Sequence, residues 1–373
     1  MYTGTFETTA IIASMNHKKK ILIDLSKLKG DYCGLWEVTR QFGEALIRQI
    51  DFDKWNVTYL VPQNYPFTDA RVHYKPLHWR DRLLSRFWQY DVVHSLAQNS
   101  PYLRHKNKRT KYVVTLHDLN FLYEKSSKKK KKYHNLYQRN VSGVNHFIFI
   151  SHFVKQDVLT HLKLDKATTY SVIYNGIAER NSIASCPPKG LQNKLNGREY
   201  LFVISTFTRK KNIHLLVDMM RFLPNLCLVV AGQIIHHNYY EEVLQTIKKN
   251  SLQDRIIMLG TVDEQEKYWL YDHCKAFVFP SLAEGFGIPP IEAMRAGKPA
   301  FVSRKTSIPE VCGDMAFYWD TLEGEAMAQT LTKGLADTNA PKNNAELLKA
   351  YASRYNWDRC ANEYIDIYKC LSA

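Results

Sequence analysis

The sequence predicts an α/β protein of two domains, each built on a parallel sheet with helices on both faces. Two observations carry this prediction: short apolar segments alternate with helical segments, and a polar break divides the alternation near the middle of the chain. The length of 373 residues fits two domains of ordinary size. The 45% hydrophobic and 23% charged residues exclude disordered, collagen-like and coiled-coil proteins.

The first half opens with a buried strand over residues 21–25. A polar loop with Gly30 and Gly34 follows, and a helical stretch then places four apolar residues on one face: Val38, Phe42, Ala45 and Leu46. Further strands are predicted over residues 57–61, 91–94, 112–116 and 146–150. We expect the first domain to cover residues 15–190.

The polar stretch 184–197 contains two prolines and two glycines, which indicates the link between the domains. New strands are predicted over 200–204, 226–231, 256–259 and 276–279, and the second domain over 191–352. The last segment, 353–373, is predicted as a helix with one apolar face formed by Trp357, Cys360, Ala361, Tyr364 and Tyr368. Ligands of such sheets bind beyond the carboxyl ends of the strands.

Positive charge is concentrated in the first half of the chain. Residues 1–190 hold 30 basic and 15 acidic side chains, whereas the remaining 21 basic and 21 acidic residues cancel. This field favours an anionic partner, such as a nucleic acid, an acidic membrane surface or a phosphorylated substrate, although a basic surface that only aids solubility is an alternative.

The seven cysteines form no C-x-x-C pair, so we expect free thiols in a reducing cytoplasm. No apolar run reaches the roughly 20 residues of a membrane span. Residues 1–14 lack the basic start of a signal peptide and are expected to be disordered or foreign to the natural protein, with Met15 as an alternative start.

The most specific stretch follows the strand at 276–279. Two carboxylates, Glu284 and Glu292, have seven residues between them, and Gly285 and Gly287 permit close approach of a backbone to a ligand. The second carboxylate falls on the predicted helix that follows, and a helix N-terminus favours a phosphate. Carboxylates so placed can accept hydrogen bonds from sugar and ribose hydroxyls.

This E-x7-E stretch resembles the signature of the retaining, nucleotide-sugar-dependent glycosyltransferases of family 4. The resemblance continues through residues 296–299 (AGKP) and 307–311 (SIPEV), and it covers nearly the whole chain from Lys20 onward. It implies the GT-B fold, in which two Rossmann-like domains face each other across a donor-binding cleft and the last helix packs back on the first domain.

The resemblance also implies the roles of the two carboxylates. The position of Glu284 faces the donor sugar near its reacting carbon, and the position of Glu292 binds the ribose hydroxyls. The donor is further expected to contact the residues between them: Gly285, Phe286, Gly287 and Ile288.

A second candidate site lies directly after the strand at 200–204. Arg209, Lys210 and Lys211 can neutralise a diphosphate leaving group, although a charge run alone is usually a solvated face. The family pattern implies that Lys211 is the phosphate lysine. Many members carry an arginine where this chain has Ser205 and Thr206, so the second phosphate contact stays open between Arg209 and Lys210.

In the first domain, His117 stands at the end of a predicted strand, where a lone histidine is more often structural. The family has a similar His-Asp pair whose histidine contacts the donor sugar, which implies this role for His117, with Asp118 capping a helix or orienting that histidine. Gly34 matches a family glycine loop near the donor phosphate, although some relatives carry two adjacent glycines there.

Family chemistry is metal-independent, so we expect no cofactor, with the nucleotide diphosphate sugar as a substrate. Asp51-Phe52-Asp53 lies in the first domain before a strand and is interpreted as a turn. The predicted function is transfer of a hexose to a glycan or lipid-linked acceptor in polysaccharide or lipopolysaccharide synthesis. Mannose is inferred from resemblance to bacterial mannosyltransferases, and glucosyl or N-acetylglucosaminyl transfer is the alternative.

An anionic membrane surface is a further expected partner of the first domain, which predicts a cytoplasmic protein peripheral to the inner face of the cell membrane. Two basic stretches motivate this, the lysine run 128–132 and residues 78–88, where cations alternate with large apolar residues that could instead face the core. A nucleic-acid-binding protein is disfavoured because no known binding motif accompanies the charge. A nucleotide-sugar isomerase or hydrolase of the same fold is a third alternative.

Overall fold

The computed structural model describes residues 18–29, 34–124, 126–179 and 184–373. The expectation for residues 1–14, and most of the glycine loop before Gly34, lie outside these described residues.

The first half forms a seven-stranded, wholly parallel sheet in the order β3-β2-β1-β4-β5-β6-β7. Ile21 of β1 pairs with Val57 of β2 and Val92 of β4, so the strand order reverses beside β1. The strands are β1 Lys19–Asp24, β2 Trp55–Val61, β3 His73–Pro76, β4 Val92–Ser95, β5 Lys111–Leu116, β6 His146–Phe149 and β7 Thr169–Val172.

The second half forms a six-stranded parallel sheet in the order β10-β9-β8-β11-β12-β13. Its order reverses between β8 and β11, and a ligand of such a sheet binds beyond this point. The strands are β8 Tyr200–Ile204, β9 Cys227–Ala231, β10 Ile256–Gly260, β11 Ala276–Phe279, β12 Ala300–Ser303 and β13 Phe317–Trp319.

Helices connect the strands, and several begin at residues that cap them. Ser151 accepts a hydrogen bond from the Val154 amide, and Asp263 and Glu266 form a capping box. The helices are α1 Gly34–Gln49, α2 Asp81–Leu84, α3 Phe121–Glu124, α4 Ser127–Val141, α5 His152–His161, α6 Leu191–Leu195, α7 Ile213–Met219, α8 His237–Lys249, α9 Glu264–His273, α10 Ile288–Arg295, α11 Ile308–Cys312, α12 Gly324–Ala336, α13 Ala345–Ala352 and α14 Trp357–Ser372.

The last helix, α14, packs on α1 and on the first sheet. Its buried face consists of Trp357, Cys360, Ala361, Tyr364, Ile365 and Tyr368. The Tyr368 hydroxyl lies 2.6 Å from Nδ1 of the buried His94, whose Nε2 lies 2.9 Å from the Thr115 hydroxyl. Burial lowers the pKa of His94 to about 3, so this histidine is neutral and ties the helix to the sheet through uncharged hydrogen bonds.

The prediction of an α/β protein with two parallel sheets is confirmed. The sequence interpretation missed β3, β7, β12 and β13. The first two lie at the edges of the first sheet and carry exposed polar residues, so they lack the buried apolar signal of a central strand. Asp51-Phe52-Asp53 is a turn, as predicted, in which Asp51 accepts from the Asp53 amide at 2.9 Å. Within the described ranges, no helix has the length and apolar character that crossing a membrane requires.

Candidate functional site

The two loops at the reversal point of the second sheet lie against each other. Residues 205–212 follow β8, and residues 280–287 follow β11. The Leu282 amide donates to the Lys210 carbonyl at 2.8 Å, and the Asn212 side-chain amide donates to the Pro280 carbonyl at 3.1 Å. These bonds hold the basic turn, residues 209–211, next to Glu284, the first carboxylate of the E-x7-E stretch.

Lys211 and Glu284 form an ion pair at the centre of this site. Lys211 Nζ lies 2.5 Å from Glu284 Oε1, and the side chains are only 12% and 14% exposed. The Ser281 hydroxyl also donates to Glu284 Oε1, at 2.5 Å. Burial alone raises the pKa of Glu284, but the charges of Lys211 and Lys210 and these hydrogen bonds outweigh it, so the net pKa is lowered. Glu284 is therefore an ionised carboxylate beside two cations.

A neighbouring loop holds the backbone around Glu284. The Glu284 amide donates to the Thr306 hydroxyl at 3.0 Å, and the Ser307 hydroxyl donates to the Glu284 carbonyl at 2.9 Å. Thr306 has a φ of 52°, a left-handed conformation that is costly for a β-branched residue. The loop after β12 therefore accepts strain where it orients Glu284, and sequence reasoning missed this support.

The glycines of the loop allow close packing between protein segments. A Cβ added to Gly285 would lie 1.8 Å from the His117 carbonyl oxygen, and Gly287, with a φ of 103°, faces the Ile308 side chain. The Phe286 ring is buried against Tyr174 and Tyr355. The structure therefore gives these residues a packing role between protein segments, and their predicted contact with the donor stays a prediction.

Ile288 is the first residue of α10 and is half-buried at the junction of the two apolar cores. Gly34 begins α1, and a Cβ added there would meet no atom within 4 Å. The predicted contact of Gly34 with the donor stays a prediction.

His117 follows β5 and its backbone touches the Gly285 loop. Its Nε2 lies 2.7 Å from the Leu96 carbonyl oxygen, which can only accept, so Nε2 carries the proton and Nδ1 is left as an acceptor. Burial lowers the pKa of His117 to about 4, and the residue is neutral at physiological pH. Asp118 accepts hydrogen bonds from the amide and the side chain of Asn120, which form a turn just before α3. Its predicted role in capping a helix or orienting His117 stays a prediction.

Glu292 lies apart from the Lys211–Glu284 pair and has its own cation. Lys267 Nζ is 3.0 Å from Glu292 Oε1, and the Tyr271 hydroxyl donates to Oε2 at 3.0 Å. Burial lowers the pKa of Lys267, but the charge and hydrogen bond of Glu292, together with the charges of Tyr268 and Glu37, outweigh burial and leave the pKa raised. Each carboxylate oxygen keeps a second lone pair, so Glu292 can still accept bonds from ribose hydroxyls.

Arg209 has partners other than the Lys211–Glu284 pair. Its guanidinium pairs with Glu242 and lies 5.4 Å from the centre of the Tyr239 ring, beside a cavity of about 450 Å³. The charge of Lys210, in contrast, acts directly on Glu284. Of the two residues left open for the second phosphate contact, Lys210 is the one whose charge lowers the pKa of Glu284, and the assignment of that contact stays a prediction.

The two halves of the chain also meet at the start of α5. The Ser151 hydroxyl donates to the Gly285 carbonyl at 2.8 Å. Glu310 accepts from the amides of His152 and Phe153 at 2.6 and 2.9 Å, which places a carboxylate at a helix N-terminus. Only the fold shows that the helix capped by Glu310 belongs to the other half of the chain.

Gly285→Ala is expected to lower sugar transfer by about 100-fold, because the new methyl group meets backbone and must separate the two halves by more than 1 Å. Steady-state transfer kinetics measure this effect. Gly190→Ala is the matched control, since Gly190 has a φ of 73° but open space around it, so the variant adds strain without a collision. Equal losses in both variants would contradict the steric explanation.

Within the described ranges, no group of three or more His, Cys, Asp or Glu side chains is arranged to hold a metal ion.

Two protein families match the chain, one in each half. Residues 38–180 match Glycosyltransferase Family 4, and residues 191–352 match Glycosyl transferases group 1. O-antigen chain mannosyltransferase B of Escherichia coli is 26% identical over 282 residues, which are 72% of this chain and 72% of that protein. O-antigen chain mannosyltransferase RfbU of Salmonella typhimurium is 26% identical over 365 residues, or 91% of this chain and 96% of that protein.

Among solved structures, Anabaena Alr3699/HepE in complex with UDP and glucose superposes with a TM-score of 0.73 at 19% identity. The match covers 94% of this chain and 100% of that one, so the likeness in fold extends over both sheets.

Proposed function

Because the chain belongs to the glycosyltransferases of family 4 and has their two-domain GT-B fold, we propose that it transfers a hexose from a nucleotide diphosphate sugar to a glycan or lipid-linked hydroxyl. The product belongs to a cell-surface polysaccharide or lipopolysaccharide. The observation that carries the proposal is the buried Lys211–Glu284 pair beside Lys210, at the reversal point of the second sheet. Mannose is the proposed sugar, since two similar proteins are O-antigen mannosyltransferases.

In the proposed reaction the configuration of the sugar is retained. The acceptor hydroxyl approaches the anomeric carbon on the face of the leaving diphosphate. As the bond from that carbon to the diphosphate oxygen breaks, the bond to the acceptor oxygen forms, and the diphosphate takes the hydroxyl proton. Lys211 and Lys210 stabilise the charge that develops on the diphosphate, so the mechanism needs no metal ion.

The remaining site residues hold the donor. Glu284 accepts hydrogen bonds from the sugar hydroxyls, and neutral His117 offers Nδ1 as an acceptor while Leu96 fixes its ring. Glu292, paired with Lys267, holds the ribose. Contact between the halves through Gly285, Ser151 and Glu310 excludes water, which would otherwise hydrolyse the donor. We place the reaction at the cytoplasmic face of the cell membrane.

Glu292→Ala is expected to raise the donor KM by about tenfold or more with a small change in kcat, because the ribose contact is the same in the ground and transition states. Initial rates over a range of donor concentrations separate the two constants. Thermal unfolding serves as a control, since the variant leaves Lys267 half-buried without its partner. A fall confined to kcat would contradict the ribose assignment.

The proposal is tested by thermal unfolding of the protein with GDP, UDP and their mannose, glucose and N-acetylglucosamine derivatives, with and without magnesium. A ligand at 100 times its Kd stabilises by about 2.7 kcal/mol, which is readily measured. We expect one nucleotide class to stabilise the protein equally with and without magnesium. Absence of stabilisation by all of them would refute the donor site, whereas stabilisation only with magnesium would refute metal independence.

A further inference from the structure

The connection between β3 and β4 leaves an unusual group of apolar side chains in solvent. This connection contains the single-turn helix α2 and a 3-10 turn, Ser85–Phe87. Four large apolar side chains within nine residues are exposed, in contrast to the scattered single residues of an ordinary surface. Their exposed fractions are 63% for Trp79, 57% for Leu83, 46% for Leu84 and 63% for Phe87.

Exposed arginines are interleaved with these side chains. The Arg80 guanidinium lies 5.5 Å from the centre of the Trp79 ring, and that of Arg86 lies 4.7 Å from the Phe87 ring. Arg82 is also exposed. Asp81 is the one acidic residue in segment 78–88, and it is buried and paired with Lys75 at 3.2 Å. The exposed charge of the segment is therefore positive throughout.

A groove runs beside the segment and adds one further cation, Lys20, since Lys75 is already paired with Asp81. It has a volume of about 460 Å³, and its lining includes Lys20, Thr58, Lys75, Phe87 and Trp88. The segment itself is fixed to the domain: Trp88 stacks on Tyr102 with 5.9 Å between ring centres, and the buried Ser85 donates to the His105 carbonyl at 3.1 Å. The surface is thus preformed.

We propose that segment 78–88 docks the first domain on an anionic phospholipid bilayer. The rings and leucines enter the boundary between headgroups and acyl chains, while the arginines at the same level bind lipid phosphates. A nucleic acid would satisfy the charge and could stack on the two rings, but it would leave Leu83 and Leu84 in water, whereas a bilayer takes up both the charges and all four apolar side chains. This inference rests on the surface alone and fails or succeeds independently of the proposed sugar transfer.

The lysine run on α4 supplies an internal comparison. Lys128–Lys132 are mostly exposed, but helix α4 carries no large exposed apolar side chain among its described residues. Helix α4 is therefore expected to attract an anionic bilayer by charge alone, without insertion of apolar side chains. A variant of this helix removes the same charge from the same domain without touching segment 78–88.

Co-flotation with vesicles of phosphatidylglycerol and phosphatidylcholine tests the proposal. The triple variant R80Q/R82Q/R86Q is expected to bind about 100-fold more weakly, since each basic residue near an anionic surface contributes about 1 kcal/mol. The control K128Q/K129Q/K130Q should lose much less. Equal losses in the two variants, or no binding of the unaltered protein, would overturn the proposal.

A second variant tests the apolar contribution. W79S/F87S should bind anionic vesicles only at low salt, whereas the unaltered protein keeps part of its binding at high salt. Both side chains are mostly exposed, so the variant should unfold at the same temperature and respond to nucleotides as before. Unchanged salt dependence would overturn insertion, and loss of self-association in place of vesicle binding would identify a second copy of the chain as the occupant.

Discussion

Lys211→Ala is expected to lower kcat/KM for sugar transfer by about 100-fold or more. Lys211 is a mostly buried cation at the reversal point of the second sheet, where charge develops on the leaving diphosphate in the proposed reaction. Removal of one such stabilising group typically costs two to three orders of magnitude in rate. Steady-state kinetics of the purified variant measure the loss, and thermal unfolding checks that the protein is folded.

The pH dependence of the variant gives an independent readout. In the unaltered protein Lys211 is the largest of the influences that lower the pKa of Glu284, against burial, which raises it. Activity that needs ionised Glu284 is therefore fully present above the ordinary carboxyl pKa and is lost only as the pH falls below it. In the variant without Lys211, the effect of burial on the Glu284 pKa is opposed less strongly, so this pKa should rise. The acidic limb of the pH–rate profile should therefore move to higher pH. Unchanged turnover and an unchanged profile would show that the phosphate site is misplaced.

Glu284→Gln is expected to produce a loss of similar size, about 100-fold. Glutamine has the same shape and keeps a partner in Ser281, so the variant removes charge from the site with little change in packing. The sugar would then be held without its main carboxylate acceptor, and a small misplacement of the reacting carbon costs about two orders of magnitude. The effect should fall mainly on kcat, as measured at saturating donor.

The double variant, Lys211→Ala with Glu284→Gln, tests whether the two residues act as one unit or as two independent sites. Because Lys211 and Glu284 are in direct contact, their losses should not multiply, and the double variant should be little worse than the weaker single variant. Fully multiplicative losses would indicate that each residue acts on the donor alone. Arg209→Ala is the matched control, since Arg209 belongs to the same basic turn but pairs with the exposed Glu242.

The sequence predicted the parts of the site that depend on local pattern. Lys211 and Glu284 each follow a buried apolar strand, and both strands lie at the reversal point, so the parallel sheet brings them together. The partners of Glu292 could not be predicted in this way. Lys267 and Tyr271 lie on a helix more than twenty residues earlier, and their spacing signals only that they share a helix face.

Contacts between the two halves of the chain could not be predicted from the sequence either. The glycines were interpreted as sites of close approach to a ligand, yet Gly285 meets the His117 backbone, which only the relative placement of the two sheets reveals. In segment 78–88, Trp88 packs in the core as one alternative held, whereas Leu83 and Phe87 are exposed. The sequence could not show which of these large apolar residues pack in the core and which are exposed, because the same residue types occur in both places.

The most direct test of the central claim follows isotope-labelled hexose from GDP-mannose and from UDP-sugars into lipid-extractable and polymeric glycan, with bacterial membranes as the source of acceptor. We expect label to move from one donor into glycan with its anomeric configuration retained, equally in the presence of EDTA, and not with Lys211→Ala. Release of the label only as free sugar, inversion of configuration, or equal transfer by the variant would contradict the proposed function.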